Sequence, residues 1–148
     1  MKRLSNAKRG LVAKASISIN VSVGKVWNAL TSPEVIRQYM FGTEAVSEWK
    51  EGSRIVWKGE WRGKKYEDRG VIINLKPKRL IRYSHFSPLS GKPELPENYH
   101  TVTIELANNG TKTTVSLSQD NNETEQVREH SEKNWEMMLE GLKKLLEK

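Results

Sequence analysis

The sequence of 148 residues contains no cysteine, only two phenylalanines and five prolines, and no long hydrophobic run. Without cysteine the protein has no disulfide bonds, thiolate metal ligands or cysteine nucleophile, and this composition is compatible with a reducing cytoplasm. The basic N-terminal residues are not followed by an apolar segment, so they do not form a secretory signal, and no segment approaches the length of a membrane-spanning helix. We therefore expect a cytoplasmic protein without membrane insertion.

Positive charge is concentrated at the N-terminus. The formal net charge is +7 at pH 7, from 25 basic and 18 acidic residues. Five basic residues precede position 15 without an acidic residue among them: Lys2, Arg3, Lys8, Arg9 and Lys14. The remaining chain is almost neutral, so we interpret residues 1–11 as a basic, flexible tail and do not expect nucleic-acid binding. Residues 12–148 have the length of a single globular domain.

The C-terminal segment 122–148 has the periodicity of one long amphipathic helix. Asn122 and Glu125 have the spacing of a capping box, which predicts that the helix begins there. The stripe expected to face inward comprises Val127, Ser131, Asn134, Trp135, Met138, Leu142 and Leu145. Its second half is apolar and predicts a core contact. Its first half is polar, which is consistent either with the wall of a wetter site or with a solvated overhang.

The preceding chain has the pattern of strands and two short helices. Alternation predicts a first strand over 15–21, and Ser22 and Ser32 are placed to begin the helices. Six further strands are predicted over 43–49, 53–61, 65–75, 80–86, 100–106 and 113–119. The intervening loop 87–98 contains three prolines and a glycine. A loop of this length inside a small domain is typical of a lid or the mouth of a site.

A polar row is predicted on the inner face of the last strands. The Asn-Gly pair at 109–110 indicates a two-residue hairpin turn, which would place His100 opposite Gln119. His85 ends the strand before the 87–98 loop, and closure of that loop would bring His85 close to His100. The three side chains would then lie together on an otherwise apolar wall.

The inward face of the strand over 65–75 is ambiguous, because Val71, Ile72 and Ile73 are consecutive. In one parity, set by a turn at 63–64, Asp68 faces inward, where a buried carboxylate needs a partner such as a histidine or a polar ligand group. In the other parity Asp68 is solvated, while Val71 and Ile73 are buried. We favour the second arrangement.

Several segments resemble a known family. VWNALTSPEVIRQYM, GVIINLKPKRLIRYSH and LPENYHTVTIEL followed by TKTTVSLSQDN are similar to the START-like, or SRPBCC, superfamily, in the branch named after the activator of the 90-kDa heat-shock-protein ATPase. The resemblance covers nearly the whole chain beyond residue 12. It implies an α+β helix-grip fold of order β-α-α-β6-α, in which a curved antiparallel sheet wraps around the long C-terminal helix.

The resemblance also implies a class of function. Members of the superfamily bind lipids, hormones, polyketides and other apolar ligands between sheet and helix, and a minority perform chemistry there. In the branch's eukaryotic cochaperones the domain accompanies a separate N-terminal chaperone-binding domain, and we expect no such domain before residue 12 here. A chaperone partner and a homodimer are further implied possibilities.

The predicted inner face and helix stripe together nominate eight ligand-binding residues: Trp57, Tyr83, His85, His100, Gln119, Asn134, Trp135 and Met138. We predict that they line a cavity for a hydrophobic or amphipathic small molecule, with the 87–98 loop as its gate. One alternative is a cyclase or dehydratase that uses His85 or His100 as general base and Tyr83 as proton donor. The other is a protein-interaction module of the chaperone-regulator type.

Metal and cofactor chemistry is not predicted. The sequence has three histidines and no HExxH motif, and it lacks the cysteines of other common ligand sets. His130 falls outside the inward stripe of the C-terminal helix. We therefore expect no metal, no cofactor and no assigned catalytic residue.

Overall fold

The computed structural model describes residues 10–148, except for the side chain of Trp61. Its strands are β1 (Leu11–Ile19), β2 (Glu44–Ser47), β3 (Arg54–Trp61), β4 (Lys64–Lys76), β5 (Leu80–His85), β6 (His100–Asn109) and β7 (Lys112–Asn122). Its helices are α1 (Val23–Thr31), α2 (Pro33–Tyr39) and α3 (Glu125–Leu146). Strand β1 begins earlier than the sequence predicted, because the buried Ala13 extends the inward alternation. Residues 1–9 of the predicted tail lie outside the described residues.

The described strands form one antiparallel sheet in the order β1-β7-β6-β5-β4-β3-β2. Strands β2 to β7 form a meander in chain order, and the first strand, β1, pairs with the last, β7. Strands β1 and β2 are therefore the edges of an open, curved sheet. The predicted α+β helix-grip fold, with its long C-terminal helix, is confirmed. No helix within residues 10–148 is long and apolar enough to cross a membrane.

Helix α3 contributes to the core mainly through its second half, where Met138, Leu139 and Leu142 are buried. Hydrogen bonds along the edge strand hold it in place. The backbone N–H of Lys14 donates to the Glu132 carboxylate at 3.0 Å, and the Lys143 ammonium donates to the Ser18 carbonyl at 2.6 Å. The helix is therefore fastened to β1 along its length but buried only towards its C-terminal end.

The predicted capping box at Asn122 is wrong. Thr124 is the N-cap, and its hydroxyl accepts a hydrogen bond from the backbone N–H of Val127 at 3.1 Å. Asn122 instead ends β7, where it is buried and its amide donates to the carbonyls of Leu11 and Gln119. The bond to Leu11 joins β7 to β1, and the side-chain oxygen of Asn122 accepts from the Ser131 hydroxyl of α3 at 3.1 Å, so this side chain is already engaged and does not cap the helix.

The β6–β7 hairpin turns one residue later than predicted. Its two loop residues are Gly110 and Thr111, since Asn109 pairs with Lys112. Gly110 takes the first loop position with a φ of +76°, the sign that two-residue hairpin turns require there. The pairing shifts by two residues, so each residue keeps its predicted face but changes its partner. Gln119 lies opposite Val102 and not opposite His100.

The inward face of β4 begins at one parity and ends at the other. Tyr66, Asp68 and Ile72 point inward in its first part, whereas Leu75 does so after the register against β5 shifts between Ile72 and Asn74. The favoured prediction of a solvated Asp68 is therefore wrong. The irregularity also explains the ambiguous sequence, because a strand that changes parity carries apolar residues at both.

Substitution Leu142→Ala tests the placement of α3. Leu142 is fully buried, so its truncation is expected to leave a cavity and lower the free energy of unfolding by about 2–5 kcal/mol. Met137→Ala on the same helix, at a side chain that is 57% exposed, is expected to change it by no more than about 0.5 kcal/mol. Urea denaturation followed by tryptophan fluorescence measures both. Equal losses would contradict the helix orientation.

Candidate functional site

Two adjoining cavities lie between the sheet, the 87–98 loop and α3. The first has a volume of about 350 Å³ and is walled by β3, β4, β5 and the segment after α2. The second, of about 590 Å³, lies at the ends of β6 and β7. They meet at three residues that line both: His85, Ser87 and Trp135.

Six of the eight predicted site residues line these two cavities. Trp57, Tyr83, His85 and Trp135 line the first cavity, and His100 and Gln119 join His85 and Trp135 in the second. Met138 lies deeper, beside a small apolar space of about 30 Å³. Asn134 is exposed and lines neither cavity, so its predicted inward orientation is wrong. The buried residues of α3 begin only at Met138, and Asn134 lies before them on the solvent side of the helix.

A carboxylate–histidine pair lies at the edge of this junction, because His85 lines both cavities and Asp68 lines the first. His85 Nε2 lies 2.9 Å from Asp68 Oδ2, with the two side chains 27% and 18% exposed. Because a carboxylate oxygen only accepts, the proton of this hydrogen bond belongs to His85 Nε2. The other carboxylate oxygen, Oδ1, is buried and has no hydrogen-bond partner among the described residues. The partner proposed for an inward Asp68, a histidine, is thus present.

Gly70 allows β4 and β5 to approach closely enough for this pair. A Cβ atom at Gly70 would lie 1.7 Å from the carbonyl oxygen of Ser84, a distance that no side chain permits. The backbones of Arg69 and Phe86 exchange two hydrogen bonds of 3.0 and 2.8 Å across the same place. These contacts hold His85 beside β4 and direct it towards Asp68.

Aromatic rings support His85 from the inner side. The Trp57 ring centroid lies 5.0 Å from that of His85 and 5.0 Å from that of Tyr83, and both pairs are tilted. Burial raises the pKa of Tyr83 well above its ordinary value, so its hydroxyl remains protonated. That hydroxyl makes no hydrogen bond within residues 10–148, which leaves it available to an occupant of the first cavity.

His100 lies beside His85 in the paired strand, with ring centroids 6.3 Å apart. Its Nδ1 lies 2.8 Å from the backbone carbonyl of Asp120, and since a carbonyl only accepts, Nδ1 carries a proton. Burial lowers the pKa of His100, opposed by this hydrogen bond, and the nearby His85 lowers it further. The neutral ring therefore offers Nε2 as an acceptor to the second cavity.

Trp135 closes the wall on the side of the helix. Its indole N–H donates to the side-chain carbonyl of Gln119, which fixes the ring between the two cavities. The polar half of α3 thus supplies a cavity wall at Trp135. Val127, at the first turns of the helix, lines the second cavity and is 44% exposed.

The 87–98 loop covers both cavities and is fastened near its middle, at Lys92 and Glu94. It contains two short 3-10 turns, Pro88–Ser90 and Pro96–Asn98. Glu94 accepts from Arg69 at 3.2 Å and from the Tyr99 hydroxyl at 2.6 Å, and Lys92 pairs with Glu123. These contacts lie near the surface, so the loop is held by bonds that solvent can replace.

Sequence reasoning missed part of the first cavity. Tyr66, Thr43 and Phe41 line it, and the hydroxyls of Tyr66 and Thr43 are 2.6 Å apart. Gly59 is the residue of the sequence that could have indicated Tyr66. In the structure a Cβ atom at Gly59 would lie 2.4 Å from the Tyr66 hydroxyl. A glycine opposite a tyrosine on neighbouring strands leaves room for the ring to lie across the sheet.

The arrangement places a few polar groups in an otherwise apolar wall. The Asp68–His85 pair can hold a hydrogen-bond donor or orient an imidazole towards a bound molecule, and Tyr83 can donate or accept one further hydrogen bond. Within the described residues, no group of three or more histidine, aspartate or glutamate side chains is placed to hold a metal ion.

The fold and the cavities define a START-like protein of the helix-grip type. The family model described as "Activator of Hsp90 ATPase homolog 1-like protein" matches residues 20–147, and the chain belongs to this family.

Solved structures include a close relative. The solution structure of a protein from Cytophaga hutchinsonii is 59% identical, covers 93% of this chain and 94% of that chain, and has a TM-score of 0.83. A crystal structure from Mesorhizobium loti (18% identity, 93% and 97% coverage, TM-score 0.76) and the solution structure of the Aha1 dimer from Colwellia psychrerythraea (20%, 90% and 93%, 0.70) share the fold. No curated protein matches the chain significantly.

The pKa of His100 is expected to make stability depend on pH. The folded-state pKa lies below the ordinary value of 6.5, so the unfolded chain binds more protons between these two values. The contribution of His100 to the free energy of unfolding is therefore fully present above about pH 6.5 and is lost as the pH falls through the folded-state pKa. Unfolding measured at several pH values should show a smaller decrease for His100→Gln. An NMR titration that placed the pKa of His100 above 6.5 would contradict this account.

Proposed function

We propose that the protein binds a hydrophobic or amphipathic small molecule between the sheet and α3. The observation that carries this proposal is the pair of adjoining cavities of about 350 and 590 Å³. Ligand sites typically measure about 300–1,000 Å³ and combine apolar walls with a few placed polar groups. Both features are present here, because aromatic side chains surround the Asp68–His85 pair.

The two cavities would contact different parts of a ligand. The first has large apolar walls, including Trp57, Tyr83 and Trp135, and each Å² of apolar surface buried there would contribute about 25 cal/mol. The second contains the polar side chains of Lys92, His100 and Gln119. An apolar body in the first cavity, with one polar group at the Asp68–His85 pair and an extension towards the second cavity, would match this division.

The 87–98 loop is the proposed gate. Leu89 lines the first cavity from this loop and is 50% exposed, so it lies at the mouth. The ion pairs that fasten the loop, Arg69–Glu94 and Lys92–Glu123, are partly exposed and contribute no more than about 1 kcal/mol each. Opening the loop therefore requires the loss of only a few weak contacts.

Substitution Ser87→Trp tests the proposal, because Ser87 lines both cavities and an indole there would fill their junction. Protein purified without denaturation is analysed by native mass spectrometry, and released compounds are identified after denaturation in organic solvent. A small molecule that co-purifies in stoichiometric amount with the unaltered protein is expected to be lost, or reduced by about tenfold, in Ser87→Trp.

Leu95→Trp is the matched control. It places the same side chain in the same loop at an exposed position that lines neither cavity. It is expected to retain the compound. Equal retention by both variants would place the compound elsewhere and contradict the proposed site.

A second candidate function is regulation of a chaperone, favoured by the family's description as an activator of the Hsp90 ATPase. The surface available for a protein partner is the outer face of the sheet, where Val46, Val71 and Ile73 are exposed. The Colwellia relative is described as a dimer, and the same face could join two copies of this chain. Val71 and Ile73 lie next to the Asp68 segment but on the opposite side of β4.

Ile73→Glu tests this candidate through the ATPase rate of a bacterial 90-kDa chaperone. If the outer face contacts the chaperone, the unaltered protein should stimulate the rate and Ile73→Glu should lose most of that stimulation, because a charge would be desolvated in the contact. Met137→Glu, at an exposed hydrophobic residue on α3, should retain it. A rate that the unaltered protein leaves unchanged would exclude the candidate.

A further inference from the structure

We propose that the occupant of the first cavity is an organic cation: a protonated amine on an apolar body. This inference rests on the proposed function and specifies the chemical class of the ligand. It is carried by three features of the cavity, namely its charge, its aromatic walls and an unpartnered carboxylate oxygen.

The first cavity is acidic although the protein is basic. The chain has a net charge of +7, yet the described residues that line this cavity include two carboxylates, Glu60 and Asp68, and no lysine or arginine. Glu60 is exposed at the rim, whereas Asp68 is mostly covered. Their negative charge would attract a cation to the cavity and disfavour a carboxylate or phosphate.

Aromatic rings form most of the large surfaces of the cavity. They are contributed by Phe41, Trp57, Tyr66, Tyr83 and Trp135. The negative face of an aromatic ring attracts a cation within about 6 Å, most strongly for tryptophan and when the cation is desolvated. Walls of this kind also bury the apolar body that carries the charge. They therefore favour an organic cation over a hydrated metal ion.

The unpartnered oxygen of Asp68 identifies the kind of cation. His85 occupies Oδ2 at 2.9 Å, whereas Oδ1 is buried without a hydrogen-bond donor in the described part of the chain. Oδ1 has almost no surface open to the cavity, so an occupant would reach it through a small rotation of the carboxylate, which would then gain the donor that this oxygen lacks. A protonated amine supplies both an N–H donor and the compensating charge, whereas an alcohol supplies only the donor and a quaternary ammonium only the charge.

Tyr83 gives the amine a second contact. Its hydroxyl has no hydrogen bond within residues 10–148, and Tyr83 precedes His85 by two residues on the same face of β5. The neutral oxygen can accept another N–H of the same ammonium group. Asp68 and Tyr83 would thus position the amine against the ring of Trp57, which packs against the rings of Tyr83 and His85.

The test is a matched series of three probes that share one apolar body: 3-phenylpropylamine, 3-phenylpropan-1-ol and 3-phenylpropanoate. Binding to the full chain is measured by isothermal titration calorimetry at about pH 8, where aliphatic amines are protonated. The amine is expected to bind at least about tenfold more tightly than the alcohol, because it alone compensates the charge of Asp68. The carboxylate is expected to bind most weakly.

Asp68→Asn assigns the preference to this residue. Asparagine has the same shape and can still accept the hydrogen bond of His85 through its side-chain carbonyl. The affinity for the amine is expected to fall by about tenfold or more and that for the alcohol to change by no more than about twofold. Glu67→Gln is the matched control, since it removes the same charge from the adjacent, exposed position on the other face of β4, and it should change neither affinity by more than about twofold.

The outcomes separate this inference from the proposed function. Equal affinities for amine and alcohol, no binding of the amine, or equal effects of Asp68→Asn and Glu67→Gln would overturn the amine assignment. The loss of a co-purifying compound in Ser87→Trp is measured independently and decides the proposed function. The probe series in the unaltered protein keeps the inference testable even if Asp68→Asn does not fold.

Discussion

Helix α3 is buried against the sheet through Met138, Leu139 and Leu142 in its second half, and hydrogen bonds at Glu132 and Lys143 fasten both halves to β1. This anchoring keeps the first half of the helix in place without filling the space beneath it. Trp135 lies at the boundary, where it ends the core and begins the cavity wall. The cavities depend on this division of the helix, because a fully apolar stripe would close onto the sheet.

A polar pair inside an aromatic wall is costly unless its groups are satisfied. Only one oxygen of Asp68 is satisfied within the described residues, because His85 donates to Oδ2 whereas Oδ1 is buried without a partner. The pair also depends on the close approach of β4 and β5 at Gly70, where a side chain would not fit. An apolar pair of similar size would pack there at lower cost, and this difference supports the proposed binding site.

Much of the fold could be predicted from sequence because hydrophobic spacing reports the face of each residue. The β6–β7 hairpin shows the limit, since a turn displaced by one residue preserved every face and changed the partner of Gln119. Asp68 shows a second limit, because the register shift in β4 produces two valid parities in one strand. Asn134 was misplaced because periodicity does not reveal where a helix leaves the sheet. These errors depend on tertiary contacts, which local patterns do not encode.

The most direct test of this account is a long-range ¹H–¹⁵N NMR spectrum of the histidine side chains. If Asp68 faces the cavity and accepts from His85, the neutral His85 ring should carry its proton on Nε2, and that proton should exchange slowly with water. Asp68→Ala should abolish the protection by removing the acceptor. A His85 ring protonated on Nδ1, or a rapidly exchanging Nε2 proton in the unaltered protein, would contradict the inward carboxylate on which the site is built.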